Sequence, residues 1–134
     1  MTIDELMTAE PATLSPDDTV RDAIDLLRSL DVRHVPIVRN GRLVGMLSDR
    51  DLREATLPML HAFDNPDAAL KVYDQPLADL MRSDIISVEA GSDAGELIDL
   101  MIDHKVGAIP VVDADSLVGI VSYIDVLRAC REFV

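Results

Sequence analysis

One feature constrains this chain more than any other: it repeats itself without a gap. Displaced by 74 positions, Gly45 onto Gly119, the sequence sets Leu6 on Leu80, Met7 on Met81, Ile24 on Ile98 and Leu26 on Leu100. The same register sets Val32 on Val106, Pro36 on Pro110, Val38 on Val112 and Leu43-Val44 on Leu117-Val118. It also lays "GMLSDRD" (45–51) over "GIVSYID" (119–125), with Gly, Ser and Asp in step. Composition alone can produce apolar matches in a chain rich in Ala, Val and Leu, but not a register that also keeps Pro, Gly, Ser and Asp. The chain therefore reads as two copies, residues 1–54 and 76–134, joined by a connecting segment over 55–75.

Each copy predicts the same run of elements. A short helix at 3–7, matched at 77–82, precedes an extended piece at 12–14 or 86–88. Asp18 and Thr19 then offer a cap to a helix whose apolar stripe is Val20, Ala23, Ile24, Leu27 and Leu30; Ala94, Leu97, Ile98 and Met101 form the matching stripe. Two β-rich runs follow around Asn40-Gly41, a strong hairpin signal, and "AIPVVDADSLVGIVS" does the same through a less favourable turn. Helices are predicted at 48–55 and 122–133, each opening on a serine with a carboxylate three residues later. The connecting segment, with three prolines over 57–76, predicts helix fragments and loops; Leu57, Met59 and Leu60 either cap the core or meet a partner.

A β-α-β-β-α unit of this size leaves an apolar sheet face bare, so the fold class expected is α+β, with two pseudo-symmetric repeats packed sheet to sheet. Aromatic residues are only 3% of the chain, so Val, Ile, Leu, Ala and Met must build the core. At 134 residues that core is large enough to dispense with disulfides and metals. One cysteine, Cys130, leaves no internal bridge to form and has no neighbouring His to activate it. With no charged, apolar leader at the start, a reducing cytoplasm is the expected location. No run approaches the roughly 20 apolar residues of a membrane span, so no insertion is expected.

The formal net charge is −13 with only two lysines, which argues against nucleic acid as a partner. His34, His61 and His104 are too scattered for a zinc site, Asp113 and Asp115 read as a turn, and neither a phosphate loop nor a nucleophile elbow is present. No catalytic residues, metal ligands or required cofactor are predicted, and the chain is not expected to be an enzyme.

Ser48 and Asp51, like Ser122 and Asp125, carry the remaining chemistry. A serine at a strand-to-helix junction with Asp three residues on is a helix cap. The same helix start has free N–H groups for a phosphate or hydroxyl, and a carboxylate there offers two acceptor oxygens to a sugar diol. The two readings are compatible.

The opening Leu-Met helix, "HVPIV", the Asn-Gly hairpin and "LVGMLSDRDL", echoed by "AIPVV" and "LVGIVSYIDVL", resemble a tandem pair of cystathionine β-synthase (CBS) domains, a Bateman module of the small stand-alone bacterial or archaeal type. The resemblance covers nearly the whole chain and implies clefts that bind adenosyl ligands: AMP, ADP, ATP or S-adenosylmethionine. Carried over by position, the first site would use Asp51 for the ribose and Ser48 beside it, with Thr13 and Leu14 near the base and His34 beside the sugar or phosphate. The second would use Asp125 and Ser122 with Ser87, Val88 and Ala108.

The copies differ where a phosphate would sit. Arg33, His34, Arg39, Arg50 and Arg53 are replaced by Gly107, Ala108, Asp113, Ile124 and Leu127. Arg33, His34 and Arg50 therefore join the first site as candidates for an anion, and the second is expected to prefer a neutral or adenosyl-type ligand. Ordinary surface arginines paired with Asp31, Asp49 or Glu54 are the plainer alternative.

Function is thus expected to be the sensing of an adenosine-containing small molecule and signalling of its presence to a partner, such as a regulated enzyme or transporter. The resemblance also implies a homodimer through helices 20–30/94–104 and 48–55/122–133. The alternative is a dimerisation or interaction module with empty clefts, in which both serines are caps only.

Overall fold

The structure, a computed structural model, describes residues 1–57 and 66–134. Met59, Leu60 and His61 lie outside them. The order of elements is α1 (Ile3–Leu6), β1 (Thr8–Ala9), α2 (Val20–Leu30), β2 (His34–Arg39), β3 (Arg42–Ser48), α3 (Asp49–Thr56), α4 (Pro66–Tyr73), a 3-10 turn (Leu77–Asp79), β4 (Val88–Glu89), α5 (Ala94–His104), β5 (Ala108–Asp113), β6 (Ser116–Ser122) and α6 (Tyr123–Cys130), closed by a 3-10 turn at Arg131–Phe133. The fold is α+β, as the periodicities predict. Among the described residues no helix is long and apolar enough to cross a membrane.

The backbone follows local chemistry at each boundary. Thr19 accepts from the Asp22 N–H and Asp22 returns a carboxylate to the Thr19 N–H, a reciprocal cap that starts α2; Asp93 starts α5 by accepting from Gly95. Both helices end on a left-handed residue, Asp31 and Lys105. Asn40 and Gly41 turn the first hairpin with φ of 54° and 78°, and Ala114 and Asp115 do the same work at 48° and 72°. That is the tight, mirror-image turn that matches strand twist, and side chains other than Asn or Gly adopt it under strain.

The contacts divide the chain into two units that cut across the sequence repeats. The first unit comprises residues 12–40 and 44–85. Its core is Val20, Ala23, Leu27, Val35, Ile37, Leu47 and Leu52 from copy one, closed by Leu77 from the start of copy two. The second unit comprises residues 1–11, 41–43 and 86–134; its core of Val88, Leu97, Ile109, Val111 and Val121 is closed by Ile3 from the start of copy one. Ile3 and Leu77 are equivalent positions in the register of 74, and both are fully buried.

Backbone pairing repeats the exchange. Met46 and Arg82 trade hydrogen bonds of 2.9 Å in the first unit, while Thr8 pairs with Ile120 and Ala9 with Gly119 in the second. Thr19 bridges Pro76, and Thr2 bridges Asp93. This pairing explains where the opening helices stop. The helix expected over 77–82 is a 3-10 turn ending at Asp79, and α1 ends at Leu6, because the residues that follow must extend to reach a strand.

Candidate functional site

In the first unit, β3 delivers Ser48 to the N-terminus of α3. The Ser48 Oγ accepts from the Asp51 N–H at 3.1 Å, and Asp51 Oδ2 accepts from the Ser48 N–H at 2.9 Å. The capping half of the expectation is therefore present in full. Asp51 is not spent by it: Oδ1 faces the Nε of Arg82 at 3.4 Å, and the carboxylate is only 9% exposed while Arg82 is 62% exposed. Arg82 belongs to the exchanged opening of copy two, and its backbone is fixed on Met46, two residues before Ser48.

The other residues named for the first site belong to the same unit. The Asp49 N–H donates to the Arg33 carbonyl at 2.8 Å, tying the start of β2 to the start of α3 and bringing His34 alongside. Burial of the His34 imidazole lowers its pKa below 6.5; Asp51 and Asp49 oppose that shift, and Arg33 adds to it. Leu14, half-buried, lies parallel to Ile37, donating to Pro36 and accepting from Val38, and Thr13 beside it is exposed. Arg33 is exposed and makes no ion pair among the described residues.

The remaining arginines divert to carboxylates. Arg50 pairs with Glu54 at 3.1 Å along its own helix, Arg53 with Asp49, and Arg39 with Asp17. These pairs are exposed, so each contributes little and can be exchanged for a better anion.

The second unit repeats the cap without the cations. Asp125 Oδ2 accepts from the Ser122 N–H at 2.8 Å and lies 3.1 Å from the Ser122 hydroxyl; its Oδ1 is 4.0 Å from Arg128 on the same helix. The Tyr123 N–H donates to Gly107, as Asp49 does to Arg33. Ala108 is buried where His34 is half-buried, Val88 lies parallel to Val111, and Ser87 is exposed. At the position equivalent to Arg82 stands Thr8.

Arg82 is the residue that sequence reasoning missed. It lies 31 positions from Asp51, in the other repeat, and only the exchange of opening segments brings it there. The signal was available, since it is the one cation in either opening segment immediately after the Leu-Met pair.

Comparison with known proteins agrees with the duplicated pattern. The sequence pattern of the CBS domain matches residues 3–57 and again residues 77–132. The chain is 30% identical over 120 residues to the CBS domain-containing protein YhcV of Bacillus subtilis, covering 90% of this chain and 79% of that one. Among solved structures it is similar to a Vibrio cholerae protein named for acetoin utilization, AcuB, with 35% identity, a TM-score of 0.81 and coverage of 99% and 92%. It is similar also to CBSX2 solved in complex with AMP, with 28% identity, a TM-score of 0.82 and coverage of 98% and 97%. With two matches that together span most of its length, the chain belongs to the CBS domain family and carries the domain twice.

Proposed function

We propose that this protein is a regulatory module that binds an adenosine-containing small molecule, AMP, ADP, ATP or S-adenosylmethionine, and relays its presence to a partner enzyme or transporter. One observation carries the reading: two sheltered carboxylates, Asp51 and Asp125, each stand at a helix N-terminus with a serine three residues before. Similarity to a CBS protein solved with AMP supports the choice of ligand. A diol would take the lone pairs that capping leaves on each carboxylate, and the helix start would supply N–H groups to hydroxyl or phosphate. The first site, with Arg33, His34 and Arg82 about its carboxylate, suits a phosphorylated ligand. The second, with Ala108 and Thr8 in the equivalent places, suits an uncharged one.

The reading assigns binding and no chemical step, and it needs no resident cofactor. Ligand would act by favouring one conformation over another, which requires unequal affinity for the two. A homodimer in the cytoplasm is part of the proposal. Tyr123, Ile124 and Leu127 of α6 and Ile102 of α5 expose apolar surface of the kind a second copy could cover.

Isothermal titration of the wild type, Asp51→Asn and Asp125→Asn with AMP, ATP and S-adenosylmethionine tests it. Asn keeps an oxygen for the cap and removes the charge. Each variant should lose one class of site, and a wild type that binds none of the three ligands would refute the reading. The completeness of both caps favours a second reading, an interaction module with empty clefts; melting temperatures unmoved by all three ligands would support it.

A further inference from the structure

We propose that Arg82 is the specificity residue of the first site, a cation borrowed from the other repeat that makes this site select ligands carrying a phosphate. The proposal rests on the adenosyl-binding reading above and goes on to assign the origin of the difference between the sites.

In the first unit, the Asp51 carboxylate has both oxygens engaged: Oδ2 by the Ser48 N–H and Oδ1 by the Arg82 guanidinium. A ribose diol must therefore share Oδ1 with Arg82 or displace it. A bare nucleoside offers the released guanidinium nothing in return. A nucleoside phosphate offers it an anion within the same cleft, so the group that obstructs an uncharged ligand becomes a contact for a charged one. The geometry allows this transfer. The Arg82 backbone is pinned to Met46 by two hydrogen bonds, which holds its Cα in place, while its side chain is 62% exposed. Arg33, without an ion pair among the described residues, stands at the adjoining strand start as a second cation for the same anion.

Among the described residues, no cation from the other repeat stands against the carboxylate in the second unit. Thr8 occupies the equivalent position, and among the described residues the cation facing Asp125 Oδ1 is Arg128 of its own helix, at 4.0 Å. A diol there competes with that longer, same-helix pair rather than with a cation held in place from the other repeat. Selectivity in this protein thus follows one exchanged position, and the anion-selecting cation of copy one is encoded in copy two.

Titration with AMP and with adenosine separates the contributions. In an Asp125→Asn background, which leaves the first site to be read alone, Arg82→Thr should weaken AMP binding roughly ten-fold or more, the loss of one charge-assisted contact. Adenosine binding should stay the same or tighten, so the ratio of the two affinities collapses. In an Asp51→Asn background, Thr8→Arg should raise the AMP-to-adenosine ratio of the second site. An Arg82→Thr protein that binds AMP and adenosine in the wild-type ratio would overturn the proposal and leave the binding function standing. A wild type that binds none of AMP, ATP, S-adenosylmethionine and adenosine would overturn both. Far-ultraviolet circular dichroism of each variant, and an Arg82→Lys protein that retains part of the selectivity, distinguish loss of the cation from loss of the fold.

Discussion

A methyl group at Gly45 tests the exchange of opening segments most directly. Gly45 lies on β3 where the segment from copy two crosses it, and a Cβ built there would stand 2.5 Å from the Met81 sulfur, 3.0 Å from its Cγ and 3.2 Å from the Arg82 carbonyl oxygen. The Met81 side chain must give way and lose its packing, and the carbonyl cannot yield, because Arg82 is bonded to Met46. Overpacking of this kind costs about 1–3 kcal/mol. In an uncrowded strand the same change would be neutral or stabilising, since Ala reduces the freedom of the unfolded chain. The sign therefore decides. For a chain of this length each kcal/mol moves the melting temperature by roughly 4 °C, so Gly45→Ala should melt about 4–12 °C below the wild type in calorimetry. Gly119→Ala, which would press on the Met7 sulfur and the Thr8 carbonyl in the second unit, should behave alike. A double-mutant cycle with Met81→Ala adds a stricter test: the pair should be less unstable than the sum of the singles by about 0.5–3 kcal/mol. A Gly45→Ala protein that melts at or above the wild type, or strict additivity with Met81→Ala, would show that residues 80–82 do not lie against β3.

Two further outcomes are expected. His34 has a folded-state pKa below its ordinary 6.5 because burial disfavours the imidazolium, so on acidification the unfolded chain takes a proton before the folded one does. Stability should therefore fall as pH drops through the unfolded value, and the loss should level off once the folded state protonates too; His34→Gln should remove that part of the slope in urea titrations between about pH 7.5 and 5.5, and an unchanged slope would refute it. At the second hairpin, replacing Ala114 by Asn and Asp115 by Gly should stabilise the protein by about 1 kcal/mol, because both residues hold a left-handed backbone that Asn and Gly adopt more readily. A thermal midpoint at or below that of the wild type would count against a turn of this shape.

The fold was legible where local chemistry and tertiary need agree. Val20 to Leu30 has the stripe, the cap and the length of a helix, and forms one. Asn40-Gly41 predicts its turn by backbone freedom alone. The Ser48 and Ser122 caps followed from residue type and spacing, and their hydrogen bonds are those expected of a capping box. What could not be read was which repeat each opening segment serves. Ile3 and Leu77 look like core residues in any register, but nothing local to them says that each closes the core of the other copy. Arg82 was hidden for the same reason, since pattern matching along one repeat finds Arg33 and Arg50 and stops there. Arg50 shows the converse limit: sequence places it beside the serine, and the helix turns its guanidinium to Glu54.

The crossing of the opening segments bears on how such a chain could arise and how it can be cut. An unduplicated ancestor with a single repeat would have filled its core only by lending its first helix to a sister molecule and receiving one back. Fusion of two genes would have made that loan permanent within one polypeptide. For the same reason a scissor placed between the repeats does not free two intact halves, since each fragment would carry away the stopper belonging to the other.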